Sequence, residues 1–178
     1  MTSPTALLVI DMQLCAFDGK ITAPINDGHI LLDTVAELID VCRSQKMPII
    51  FAQTCAYYDQ PYAKDMHGWE IQPSLTKEDE DEVVYKIQSN TFENTNLQQV
   101  LATLSVSKLI TCGAWSEFCV ANTTSAALAL GYEATAIADA HGTVAKNNFE
   151  ASEKIVRQNE RFLEMKASVL TLSQLKAL

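Results

Sequence analysis

Basic residues are scarce in this chain: 13 Lys and Arg stand against 22 Asp and Glu, a formal charge of −9. Phosphate backbones and anionic membrane surfaces both need a basic face, so neither nucleic acid nor membrane is an expected partner. No window reaches the run of about 20 apolar residues that a membrane helix requires. The apolar run Ala6–Ile10 is too short for a secretory segment, has no basic residue before it and ends in Asp11, so it reads as a strand and the expected location is cytoplasmic. Glycine and proline are few, 6 and 5, which argues against disordered or collagen-like sequence. The five cysteines (Cys15, Cys42, Cys55, Cys112, Cys119) are odd in number and lack CxxC spacing, so neither a disulfide framework nor a zinc ribbon is expected. The three histidines, His29, His67 and His141, lie far apart in sequence, which gives a His-rich metal site no ligand spacing. The acidic run Glu78–Glu82 reads as a solvated loop.

What remains is a chain of 178 residues, 48% hydrophobic, long enough to bury a sizeable core as a single domain spanning 1–178. Apolar runs alternate with helical patterns throughout. Strands are expected at Ala6–Met12, Pro48–Thr54, Val83–Ile87, Lys108–Ala114, Glu133–Ala138 and Ser168–Leu172, most of them continuously apolar, as buried parallel strands are. Helical spacing recurs at Ile30, Leu31, Val35, Leu38, Ile39 and Cys42, and again at Leu97, Val100, Leu101 and Leu104, where Thr95 and Gln98 form a capping-box pattern. A third helix is expected over 117–130, stopped by Gly131. The last is expected over 148–164, with Phe149, Ser152, Ile155, Val156 and Phe162 inward. These patterns predict a three-layer α/β/α sandwich with a mainly parallel six-stranded sheet. Residues 55–82, with Tyr57, Tyr58, Pro61, Tyr62, Trp69 and Pro73, lack a period and predict a long functional loop.

Ligands of such sheets bind at the carboxyl ends of strands. Asp11 closes the first strand, Lys86 lies near the end of the third, and Cys119 follows the fourth. Singly, each is as well explained as a turn carboxylate, an edge charge and a small buried hydrophobe. Together they make a nucleophilic constellation. Ser116 could cap the helix after the fourth strand, leaving Cys119 in its first turn, where free N–H groups and the helix dipole favour a thiolate. A carboxylate could take the thiol proton, and an ammonium would hold both anions.

The segments ALLVIDMQ, VVYKIQSNTF and GAWSEFCVANTTSAALALGY, the last followed by an Ala-Asp-Ala stretch, resemble the three motifs of the isochorismatase-like cysteine hydrolase family, in order and over nearly the whole chain. The resemblance implies a Rossmann-like strand order 3-2-1-4-5-6, a catalytic triad of Asp11, Lys86 and Cys119, a cis peptide between Ala114 and Trp115, and an oxyanion hole made by the backbone N–H groups of Trp115 and Cys119. It also implies a homo-oligomer, a dimer or higher. Metal-dependent nicotinamidases of the family carry Asp-x-His after the second strand. This chain has Thr54, Cys55, Ala56 and Tyr57 there, so no metal and no cofactor is expected.

Cys119 favours the amidase-like branch, and GWEIQPSL, with Trp69 and Glu70, and the run Lys86, Ser89, Asn90, Thr91 and Phe92 are similar to the streptothricin-hydrolase-like group. The expected activity is hydrolysis of a C–N bond in a small-molecule amide, lactam or ureide through a Cys119 thioester. The alternatives are isochorismatase-type cleavage of a vinyl ether and a non-catalytic binding or redox-responsive protein with a vestigial triad. Gln13, Phe17, Trp69, Phe92 and Trp115 are the expected pocket residues, although Gln13 serves equally as a turn residue and Phe17 as core.

Overall fold

A computed structural model describes residues 4–20, 22–55, 66–146 and 148–178. Side chains of the first strand, β1 (Thr5–Ile10), alternate between two cores: Leu7 and Val9 enter one, Ala6, Leu8 and Ile10 the other. Every β1 residue after Thr5 is buried, the pattern of a strand covered on both faces. β1 is flanked by β2 (Ile49–Thr54) and β4 (Lys108–Ala114), and β3 (Glu82–Lys86), β5 (Glu133–Gly142) and β6 (Ser168–Leu170) complete one sheet. All its ladders are parallel and its order is β3-β2-β1-β4-β5-β6. Helices α1 (Gly28–Ser44) and α5 (Leu172–Lys176) pack on one face, and α2 (Leu97–Thr103), α3 (Ala121–Ala129) and α4 (Ala151–Glu164) on the other. The expected three-layer sandwich and strand order are therefore present.

Several local expectations need correction. α5 takes the residues expected to end β6, because Thr171 caps it by accepting the Gln174 N–H while Gln174 Oε1 accepts the Thr171 N–H. β5 continues four residues past its expected end and bulges, so that Ala136 pairs with Thr111 but His141 pairs with Gly113. The Thr95–Gln98 capping box does not form; the Thr95 hydroxyl accepts the Leu97 N–H at 3.2 Å instead. α4 begins at Ala151 and buries Ala151, Gln158 and Phe162, whereas Phe149 and Val156 are exposed. The apolar period misleads there because the inner face of α4 carries polar groups that reach the neighbouring strand. The acidic run is not wholly solvated: Asp81 buries its carboxylate against Arg43 of α1 at 2.7 Å and accepts the Glu78 N–H. Residues 56–65, with Tyr57, Tyr58, Pro61 and Tyr62 of the expected loop, lie outside the described residues.

The sheet order makes β1 and β4 the pair at which the winding direction reverses, and their carboxyl ends open the crevice used by ligands in such folds. The two strands approach closely at Gly113, whose φ is +110° and where a Cβ would stand 2.1 Å from the Ile10 carbonyl oxygen. Only glycine tolerates both conditions. Gly113→Ala should therefore destabilise the fold by on the order of 3 kcal/mol or more, read as a lowered urea midpoint; an unchanged midpoint would mean that the strands can separate at no cost.

Candidate active site

The chain leaves β1 through Asp11, in left-handed conformation at φ +52° with its N–H bonded to Ala52 O at 2.9 Å. This sharp exit turns the carboxyl group down among the ends of β2 and β3, where Asp11 is buried. Both its oxygens accept hydrogen bonds, Oδ1 from Thr54 Oγ1 at 2.8 Å and Oδ2 from Lys86 Nζ at 2.8 Å. Thr54 and Lys86 are register partners at the ends of β2 and β3, which brings hydroxyl and ammonium side by side. Lys86 Nζ also donates to Thr54 Oγ1 at 2.9 Å and Gln88 O at 3.3 Å, and lies 3.5 Å from Cys119 Sγ. Burial disfavours the charged form of Lys86, but Asp11 and Cys119 more than compensate and hold its pKa above the usual lysine value.

β4 ends at Ala114, the Ala114–Trp115 peptide is cis, and a π-helical turn over Ser116–Val120 leads into α3. Such turns occur often at functional sites. Cys119 therefore sits before α3 proper, beside Lys86. Its thiol is pushed up to about 11, chiefly by burial and then by the Asp11 charge, with Lys86 and a hydrogen bond to Ser89 acting in the opposite sense. This runs against the expectation of a favoured thiolate: withdrawal from water and the neighbouring carboxylate outweigh the ammonium and favour the neutral Cys119 thiol. Ser116 does not cap the turn either. Its hydroxyl points to His141 Nδ1 at 2.9 Å.

A family model for the isochorismatase domain matches residues 5–166. The chain belongs to the isochorismatase family. Two streptothricin hydrolases from Streptomyces noursei are each 30% identical, over 80% and 78% of this chain. The chain spans only 59% and 49% of their lengths. The crystal structure of a candidate isochorismatase hydrolase from Oleispira antarctica superimposes with a TM-score of 0.92 at 28% identity, covering 100% of both chains.

In this isochorismatase-family chain, Asp11 and Lys86 at the ends of β1 and β3 come together with Cys119 from the turn after β4, while the expected pocket residues disperse. Gln13 is fully buried, with both amide protons committed to Thr54 O (3.0 Å) and Trp69 O (2.7 Å) and its oxygen to the Thr54 N–H (2.8 Å). It clips β2 and the 66–72 segment to the end of β1 and has no proton left for a substrate. Phe92 stacks on Tyr132 at 5.8 Å and packs into the α2–α3 core, and Phe17 packs against the core beneath α1. Trp69 lies over β3, stacked on Tyr85 at 5.9 Å. Trp115 alone of the five lines the cavity of about 480 Å³ beside the Ser116–Val120 turn, together with Glu117, Phe118 and Thr143. A second cavity, of about 380 Å³, reaches Lys86 from the β3 side past Cys55 and Gln88. Among the described residues, no group of three or more His, Cys, Asp or Glu is gathered as a metal site would need. His29 and His67 are exposed and His141 is buried among hydrogen-bond partners.

Thr54 is the site residue that the sequence alone does not single out; its place at the end of β2, the strand next to β1, is the available signal. Thr54→Val should cost about 1.5–3 kcal/mol, because it strips a partner from each member of a buried ion pair, and urea unfolding would show it. The alkylation rate of Cys119 by iodoacetamide should climb with pH about tenfold per unit and level off near 11; a plateau below neutrality would contradict the neutral resting thiol.

Proposed function

We propose that the chain is a hydrolase that cleaves a C–N bond of a small amide, lactam or ureide through a thioester on Cys119. The observation that carries this reading is the buried Lys86 ammonium, bonded to Asp11 and in reach of Cys119; because well-packed apolar residues often stabilise a fold as well as a buried ion pair does, the pair points to a chemical role. Asp11 takes the thiol proton as Sγ attacks the carbonyl carbon, so a thiolate exists only as it reacts. The resulting oxyanion is held by the N–H groups of Trp115 and Cys119 at the open end of the turn. Asp11 then gives its proton to the departing nitrogen, the C–N bond breaks and the thioester remains. Water, losing a proton to Asp11, attacks the thioester, and the thiolate leaves and is reprotonated. Lys86 keeps its charge throughout and prevents the carboxylate from moving. The two relatives named as streptothricin hydrolases support a small-molecule substrate of this kind.

Incubation with streptothricin, simple amides, lactams and ureides, followed by peptide mass spectrometry, should reveal an acyl adduct on Cys119 with release of amine or ammonia. Cys119→Ala should abolish turnover, and Asp11→Asn should lower kcat by about 10²- to 10⁴-fold, the usual contribution of a positioned base. Activity that survives Cys119→Ala would replace this mechanism with cleavage of a non-amide bond such as a vinyl ether.

A further inference from the structure

Behind the nucleophile turn lies a buried polar chain that the proposed mechanism does not use. Ser116, fully buried, follows Trp115 directly and precedes Cys119 by three residues. Its Oγ is 2.9 Å from His141 Nδ1, His141 Nε2 is 2.9 Å from Asn159 Oδ1, and Asn159 Nδ2 donates to Ala138 O at 3.1 Å. The last bond fixes the direction of the others. With its amide protons facing Ala138, Asn159 offers an oxygen to His141, so Nε2 carries the proton and Nδ1 accepts from the Ser116 hydroxyl. His141 is held further by the edge of the Phe162 ring at 5.6 Å and by its register place opposite Gly113. Next in the turn, Glu117 is paired with Lys154 of α4. Two consecutive residues between the expected oxyanion donors are thus tied to α4, one of them through β5.

We propose that Ser116, His141 and Asn159 are positioning residues that hold the turn so that the N–H groups of Trp115 and Cys119 stay aimed at the developing oxyanion; this inference rests on the hydrolase reading above. A buried serine in the turn could be replaced by alanine without disturbing packing, whereas a three-member chain with one permitted direction fixes both the tilt of the turn and its distance from β5. The same chain gives the site an acid sensitivity. His141 has a lowered pKa, chiefly through burial, against the opposing pull of Asn159 and of the Asp139 and Glu117 carboxylates; Lys154, which also faces the turn from α4, is paired with Glu117. Protonation at Nδ1 would reverse this bond, making Ser116 Oγ the acceptor and leaving its own buried hydroxyl proton without the partner it had.

The test uses 4-nitrophenyl acetate, which acetylates a cysteine as Sγ–C forms, the C–O bond to nitrophenolate breaks and the thiol proton passes to Asp11. Iodoacetamide serves as the control, since its alkylation develops no oxyanion. Ser116→Ala should acetylate about 10- to 100-fold more slowly at saturation, the penalty of a small misplacement, with an unchanged half-saturating concentration and an unchanged alkylation rate. In Asn159→Asp, a carboxylate against Nε2–H should raise the His141 pKa and move the acid loss of acetylation to higher pH. Nitrogen-15 NMR of the wild type should show the Nε2–H tautomer of His141. Equal acetylation by Ser116→Ala and wild type, or an Nδ1–H tautomer, would overturn the positioning role alone. Absence of both nitrophenolate release dependent on Cys119 and any acetyl group on wild-type Cys119 would overturn the nucleophile assignment and this inference with it.

Discussion

The candidate site depends on a lysine and an aspartate held out of water at the carboxyl end of the sheet. Taking two charges from water costs several kcal/mol each, and their attraction repays this only where the remaining lone pairs and protons also find partners. Here they do: Thr54 donates to one carboxylate oxygen and accepts from the ammonium, and Gln88 O takes a further proton. The pair is thus fixed in position, and the thiol of Cys119 is presented to a carboxylate that cannot turn away. The raised pKa of that thiol follows from the same burial. A site dry enough to sharpen the Asp11–Lys86 interaction is too dry to hold a third, resting charge.

Much of the surrounding architecture serves to converge on that point. β1 stands at the centre of the sheet and supplies Asp11, β2 and β3 supply Thr54 and Lys86 in register, and β4 supplies the turn with Cys119. Gly113 lets β4 pass close to Ile10, and the β5 bulge brings His141 opposite it. Gln13 finishes the job on the other side by binding the backbones of Thr54 and Trp69. The polar inner face of α4 makes sense in the same frame: Lys154 and Asn159 give up apolar packing to reach the turn and β5.

Legibility in the sequence followed the strength of the local signal. The strands of the central sheet were readable because buried parallel strands are unbroken apolar runs, and Asp11, Lys86 and Cys119 because each interrupts or follows such a run with a chemically distinct group. Family motifs added the strand order. Features that depend on what lies across space were not readable: Thr54 looks like an ordinary strand threonine, Gln13 like a pocket amide, and Ser116 like a helix cap until His141 is seen beside it. The phase of α4 is hidden for the same reason, since Lys154 and Asn159 find their partners on elements distant in sequence. Periodicity registers hydrophobicity, and it is blind to a polar side chain whose burial is satisfied elsewhere.

The account rests on Asp11 and Lys86 stabilising one another, and a double-mutant cycle on unfolding measures this most directly. Urea denaturation of the wild type, Asp11→Asn, Lys86→Met and the double variant should give a double variant less destabilised than the sum of the singles, by about 2–3 kcal/mol, because each single change strands a buried partner. Additivity to within about 0.5 kcal/mol would show that the two groups do not depend on each other, and would contradict the account.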